Sequence, residues 1–236
     1  MSFKKESIIE LISLSKNFGD NILLDDVSFK VNKGEITTLI GQNGAGKTTL
    51  AKIILKLESY DRGDLKIRKN LRIGYVPQSL DFSSALPLTA KCLLKILSPS
   101  EFNKKIASFS NFINYDLIKR KDISDLSGGQ LQKLILAGTL MNEPELVILD
   151  EPTQFLDVSS QQEFYHLLNQ LKKENDLTVF MISHDLFTVM KNSDQVICLN
   201  KHVCCTGRPT ELDNNIVFKN ALSEIGVYIH NHDHKH

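Results

Sequence analysis

In VSFKV, Val27, Phe29 and Val31 alternate with Ser28 and Lys30, a period of two that predicts a strand with one buried face. Residues 8–40 read as strands throughout, and EITTLIG is a compact one that ends on a glycine. The period then changes. In LAKIILKL, Leu50, Ile53, Ile54 and Leu57 recur at i, i+3, i+4 and i+7, which predicts an amphipathic helix. From about residue 80 to 140 strand signals fade, and KCLLKIL and FNKKIASFSNFI predict a helical insertion. LVILD and TVFMISH are nearly continuous apolar runs, as expected for parallel strands buried on both faces. Between them, QQEFYHLLNQLKKEN places Phe164, Leu167, Leu168 and Leu171 on one helical face. Strand, helix, strand in that order is a crossover unit, so the class is α/β with a parallel sheet. VICLN and HVCCTG predict a hairpin, and a last helix is expected from about 209 to 225.

Composition narrows the partners. The 236 residues suit one domain, or one domain with a subdomain. Lys plus Arg equals Asp plus Glu at 28 each, so no global charge points to nucleic acid or an anionic membrane. No apolar run approaches a membrane span, and the N-terminal residues carry Lys and Glu where a secretory signal needs an apolar stretch. Cys92, Cys198, Cys204 and Cys205 have no framework spacing, and the vicinal Cys204–Cys205 pair suits no ordinary disulfide, so four reduced thiols are expected.

Three short segments carry the chemistry. GQNGAGKT at 41–48 fits G-x-x-x-x-G-K-[ST], with a strand before it and a helix after. Gly41, Asn43, Gly44, Ala45, Gly46, Lys47, Thr48 and Thr49 are therefore candidate nucleotide contacts. Glycines let backbone N–H groups turn around phosphate oxygens, and the helix N-terminus adds positive potential. Lys47 is placed to reach the β- and γ-phosphates, and Thr48 to ligate Mg²⁺. In LVILDE, an apolar strand delivers Asp150 to its end as a second Mg²⁺ residue, and Glu151 beside it can polarise an attacking water. LSGGQ at 126–130 combines small residues with a helix start, a further anion site.

In this order, the three segments resemble the nucleotide-binding subunits of ATP-binding-cassette (ABC) transporters over roughly residues 8–212. The resemblance implies a P-loop NTPase core with a mostly parallel sheet, an N-terminal antiparallel β subdomain and an inserted helical subdomain at about 80–140. The cassette would occupy 1–229, with a histidine-rich tail at 230–236. It implies ATP and Mg²⁺ as ligands and a homodimer in which Ser127, Gly128, Gly129 and Gln130 face the other subunit's nucleotide. It also implies that Phe18 stacks on adenine, that Gln78 senses Mg²⁺ and couples to the permease, that Asp157 lies in the interface loop, and that His184 is the switch histidine near the γ-phosphate. Integral-membrane permease subunits at the cytoplasmic face of the inner membrane and, indirectly, a metal-binding extracytoplasmic protein are the implied partners; nucleic acid is not.

The sequence departs from the family at Lys133 and Gly138, where arginines are usual, and at Phe155, where the interface loop often has a small residue. DEPTQ, the CLNKHVCCTGRP hairpin and the histidine-rich end resemble ATPases of bacterial zinc-uptake systems, with manganese and iron importers next and a soluble non-transport cassette as a remoter alternative. His230, His232, His234 and His236 are candidate zinc ligands, since imidazole suits zinc, copper and nickel. His202 with Cys204 or Cys205 is a second candidate, although on a regular strand the two cysteines would point to opposite faces. His166 is expected to be solvated. Deleting residues 230–236 should leave basal ATPase activity nearly unchanged and remove most weak zinc binding, as measured by equilibrium dialysis on the two proteins.

Overall fold

The computed structural model describes residues 5–78 and 87–212. The expected histidine tail, the later part of the last expected helix and residues 79–86 lie outside them.

A six-stranded sheet forms the centre, in the order β5 (Ile73–Val76), β6 (Leu146–Asp150), β7 (Thr178–Ile182), β3 (Ile36–Ile40), β8 (Gln195–Asn200) and β9 (His202–Gly207). All neighbours are parallel except the β8–β9 hairpin. Every residue of β3, β6 and β7 is buried, as their unbroken apolar runs predict. Alternate side chains serve two cores. Val147 and Leu149 of β6 pack toward α5 (Gly128–Leu140) and α6 (Val158–Asn175). Leu146 and Ile148 pack toward α1 (Lys47–Ile54), β1 (Ser7–Phe18) and β2 (Asn21–Asn32). Those two strands and β4 (Arg62–Ile67) make a separate antiparallel sheet in the order β2-β1-β4. Val27, Phe29 and Val31 face inward from it, and the Phe29 ring stacks on Phe180 of the central sheet with centroids 5.9 Å apart.

The helical stretch after residue 87 contains α2 (Ala90–Leu97), α3 (Phe102–Ile113), the short α4 (Tyr115–Ile118) and a 3₁₀ turn before α5. Thr89 caps α2 by accepting from Cys92 N–H. On α6, Phe164 and Leu168 are buried, Leu167 and Leu171 are partly so, and His166 is exposed, as the helical pattern predicts.

Four features differ from, or go beyond, the pattern. First, β4 and β5 fill a stretch whose alternation is too short to announce them. Second, Leu57 does not join the apolar face of α1 and is 67% exposed. Lys56 turns left-handed at φ 59°, and Lys56 and Leu57 N–H groups close back on the Ile53 and Lys52 carbonyls, ending the helix before Leu57 can reach the core. Third, the β8–β9 register sets Cys198 opposite Cys205, and the structure bonds these sulfurs, so the expectation of four reduced thiols is corrected there. A register shift between Cys198 and Leu199 puts both Cys204 and Cys205 against the cluster around Ile40 and Val189, correcting the expectation of opposite faces.

Fourth, Gly138 has a packing reason. A Cβ there would lie 2.8 Å from Leu97 Cδ1 and 2.9 Å from Leu97 Cβ, so glycine is what lets α2 and α5 touch. Helix propensity alone would make Gly138→Ala stabilising by about 1 kcal/mol. Overpacking against Leu97 should reverse the sign, and chemical denaturation should show a net loss of about 1–2 kcal/mol.

Candidate nucleotide site

The C-terminal ends of β3, β7 and β6 lie side by side, because β7 sits between the other two. Parallel strands therefore deliver residues 41–48, His184 and the Asp150–Glu151 pair to one edge of the sheet, where α/β folds gather ligands. A cleft of about 1110 Å³ opens there. Its lining includes Gly41, Asn43, Gly44, Gly46, Lys47, Thr48 and Thr49 from the glycine-rich loop, with Gln78, Glu151 and His184 opposite. Ala45 is buried within the loop and its N–H donates to the Gln42 carbonyl.

The loop can form because of its glycines. Gly46 takes φ 93°, and a Cβ there would fall 2.7 Å from Leu24 Cδ2. Its carbonyl accepts from Leu50 N–H to start α1, whose N-terminus then faces the cleft. Lys47 folds into the loop, and its ammonium donates to the Gly41 and Gln42 carbonyls at 2.8 and 2.9 Å. Burial lowers its pKa, while Glu151 and Asp150 act to raise it.

Asp150 is 1% exposed; its carboxylate oxygens make no full hydrogen bond, and the Thr48 hydroxyl is the donor that acts on them. Burial raises its pKa, Thr48 opposes the shift, and the Glu151 charge adds to it. A buried carboxylate only partly satisfied by a threonine hydroxyl fits a hard divalent cation, which prefers oxygen ligands. Glu151 leaves the strand at φ 48°, a left-handed conformation unusual for a residue with a side chain, while its N–H still pairs with the Ile182 carbonyl. Its Oε2 accepts from Gln78 Nε2 at 2.9 Å and lies 3.5 Å from His184 Nδ1. The same Gln78 nitrogen is 3.3 Å from Gln154 Oε1. Sequence reasoning missed Gln154; its place three residues after Glu151 was the available signal.

Other candidates stand apart. Phe18 is 51% exposed rather than core, with the Lys16 ammonium 4.9 Å from its ring centre. Ser127, Gly128, Gly129 and Gln130 open α5 and do not line the cleft. Ser127 and Gln130 form a reciprocal capping box. A Cβ on Gly128 or Gly129 would meet Phe155 at 3.1 or 2.9 Å, so the interface loop roofs this helix start and needs its glycines. Asp157 caps α6 through Ser160 N–H at 2.8 Å. Lys133 is buried, paired with Glu163 at 2.7 Å. His202 Nε2 lies 3.8 Å from Cys204 Sγ, but among the described residues no three metal-binding groups converge.

A phosphate loop, an acidic strand end and a capped small-residue helix start on this sheet define a nucleotide-binding cassette. The ABC transporter family matches residues 24–154, and the chain belongs to it. The zinc import ATP-binding protein ZnuC of Rickettsia prowazekii is 55% identical over 98% of this chain and 100% of its own. ZnuC of Buchnera aphidicola subsp. Baizongia pistaciae is 42% identical, over 97% and 98%. A dimeric structure of a bacterial ABC transporter cassette superposes with a TM-score of 0.75 at 25% identity, covering 85% of this chain and 98% of that one.

The burial of Asp150 makes the stability of the fold depend on pH. A carboxyl whose folded pKa lies above its unfolded value destabilises the fold while ionised, and the penalty fades as pH falls through the folded value. Asp150→Asn should therefore raise the neutral-pH melting temperature of the nucleotide-free protein by about 2–4 °C, some 1 kcal/mol, with the gain shrinking in acid. The same variant should lose Mg²⁺-dependent ATP turnover.

Proposed function

We propose that this chain is the ATP-hydrolysing subunit of a zinc importer, working as a homodimer against integral-membrane permease subunits at the cytoplasmic face of the membrane. Among the described residues no helix is long and apolar enough to cross a membrane, which suits a peripheral subunit. An extracytoplasmic metal-binding protein would feed the permease. The observation that carries the reading is the convergence of Lys47, Thr48, Glu151, Gln78 and His184 on one cleft, with Asp150 buried against Thr48 and Lys47. The names of the relatives favour zinc over manganese or iron.

In this reading Lys47 exchanges the Gly41 and Gln42 carbonyls for the β- and γ-phosphates. Thr48 and Asp150 would hold Mg²⁺, and Gln78 would offer its amide oxygen as a further ligand. When bound, Mg²⁺ neutralises charge on the phosphate oxygens. Phe18, already exposed, stacks on adenine. Glu151 accepts the proton of the attacking water, and His184 meets the γ-phosphate from the next strand end. The cleft lacks the LSGGQ residues, so closure requires them from a second copy. There the first amides of α5, on Gly128 and Gly129, precede any intrahelical acceptor and can bind the partner's γ-phosphate. Asp157 and Phe155 cross the interface beside them. Residues 230–236 are a candidate zinc-binding tail.

Glu151→Gln should keep ATP affinity, lower turnover by at least about a hundredfold and accumulate an ATP-bound dimer on gel filtration. Ser127→Arg should block that dimer without weakening ATP binding to the monomer. Normal hydrolysis by Glu151→Gln would overturn the catalytic assignment. Zinc content in cells lacking the chain, measured beside manganese and iron, tests the cargo.

A further inference from the structure

We infer that Gln154 is a positioning residue for hydrolysis, acting through Gln78. The inference rests on the ATPase reading above and adds a residue that reading does not use.

The Gln78 side chain ends in a primary amide. Its two ends are nearly the same size, one donating two hydrogens and the other only accepting. Rotation about the last side-chain bond exchanges them, because that torsion is broad and roughly two-fold. Gln78 can serve a cation only with its oxygen, so an enzyme that uses it this way has to control which end points where.

Two acceptors exert that control. Glu151 Oε2 takes one hydrogen of Gln78 Nε2 at 2.9 Å. Gln154 Oε1 stands 3.3 Å from the same nitrogen and takes the other. The Glu151 bond alone would leave the amide plane free to swing about it. The second acceptor fixes the plane. A flipped Gln78 would press its oxygen against the Glu151 carboxylate, acceptor on acceptor, and would keep a bond to Gln154 only if that amide turned over as well. Gln154 is held by its own loop, which packs Phe155 and Leu156 against the start of α5. Gln78 in turn follows β5, which pairs with β6 and so is registered against Glu151. The three side chains are thus brought together by neighbouring strands and one short turn.

The test compares Gln154→Leu, which keeps bulk and removes the acceptor, with Gln154→Glu, which keeps an acceptor. In the nucleotide-free wild type, selective ¹⁵N-glutamine NMR should show the Gln78 side-chain protons as two dispersed, slowly exchanging resonances. In Gln154→Leu one should move toward the free-amide position and exchange faster; Gln154→Glu should retain both. With Mg·ATP, Gln154→Leu should lower kcat about three- to tenfold, the span of one hydrogen bond, with KM for ATP unchanged. It should also raise the Mg²⁺ concentration needed for half-maximal rate. In a Gln78→Ala background the same substitution should have no further effect on kcat. An unchanged Gln78 amide spectrum in Gln154→Leu would overturn the inference, as would an equal kcat loss with and without Gln78. A wild type without turnover would refute the ATPase reading, and the amide spectra would still decide the role of Gln154.

Discussion

The site depends on a buried carboxylate that its surroundings satisfy only in part. Asp150 is delivered by a strand that is dry on both faces, and its oxygens make no full hydrogen bond at the strand end, where the Thr48 hydroxyl and the Lys47 charge act on them. Such a group is costly by several kcal/mol if fully charged and unpaired, and a protein keeps it only where the surroundings impose it. The imposition comes from the sheet. β6 is flanked by β5 and β7 and packed on both faces, so its register cannot slip without turning a whole row of side chains to the wrong core. Asp150 is placed by the apolar residues before it.

From that placement the neighbouring geometry follows. Glu151 must turn at once, in a conformation side chains avoid, because the chain has reached the sheet edge while its N–H still pairs with β7. Once turned, it meets Gln78 from β5 on one side and His184 from β7 on the other. Lys47 lies close enough for its charge to be felt by both acidic residues. The acidic pair, the histidine and the lysine thus come from neighbouring strand ends of the sheet, with the glycine-rich loop closing the group from β3.

The sequence was most legible where local backbone geometry and chemistry coincide. Gly46 is required by a positive φ, and Lys47 beside it folds its ammonium onto the loop carbonyls, so one octapeptide declares both the turn and the charge. LVILD and TVFMI were legible because burial on two faces leaves no room for polar residues. Long-range facts were not legible. Nothing local told that β7 would stand between β3 and β6, that Cys198 would meet Cys205 across a shifted register, or that Gln154 would reach a residue 76 positions away. Gly138 shows the same limit, since as a lone helical glycine it reads as a defect, and only Leu97 across the helix pair gives it a purpose. The small residues of LSGGQ were legible as a helix start, but their distance from this chain's own cleft belongs to tertiary arrangement.

The folded-back Lys47 has a consequence for discrimination among solutes. The Lys47 ammonium is already solvated by two carbonyls of its own loop in place of water. An entering anion is thus offered an exchange of partners, and its gain is only the surplus over those two contacts. A chloride or a single inorganic phosphate has little surplus to offer. On the proposed reading a polyphosphate chain reaching across the loop to the far wall would offer more, so the loop would favour a longer phosphate chain before any base or sugar is read.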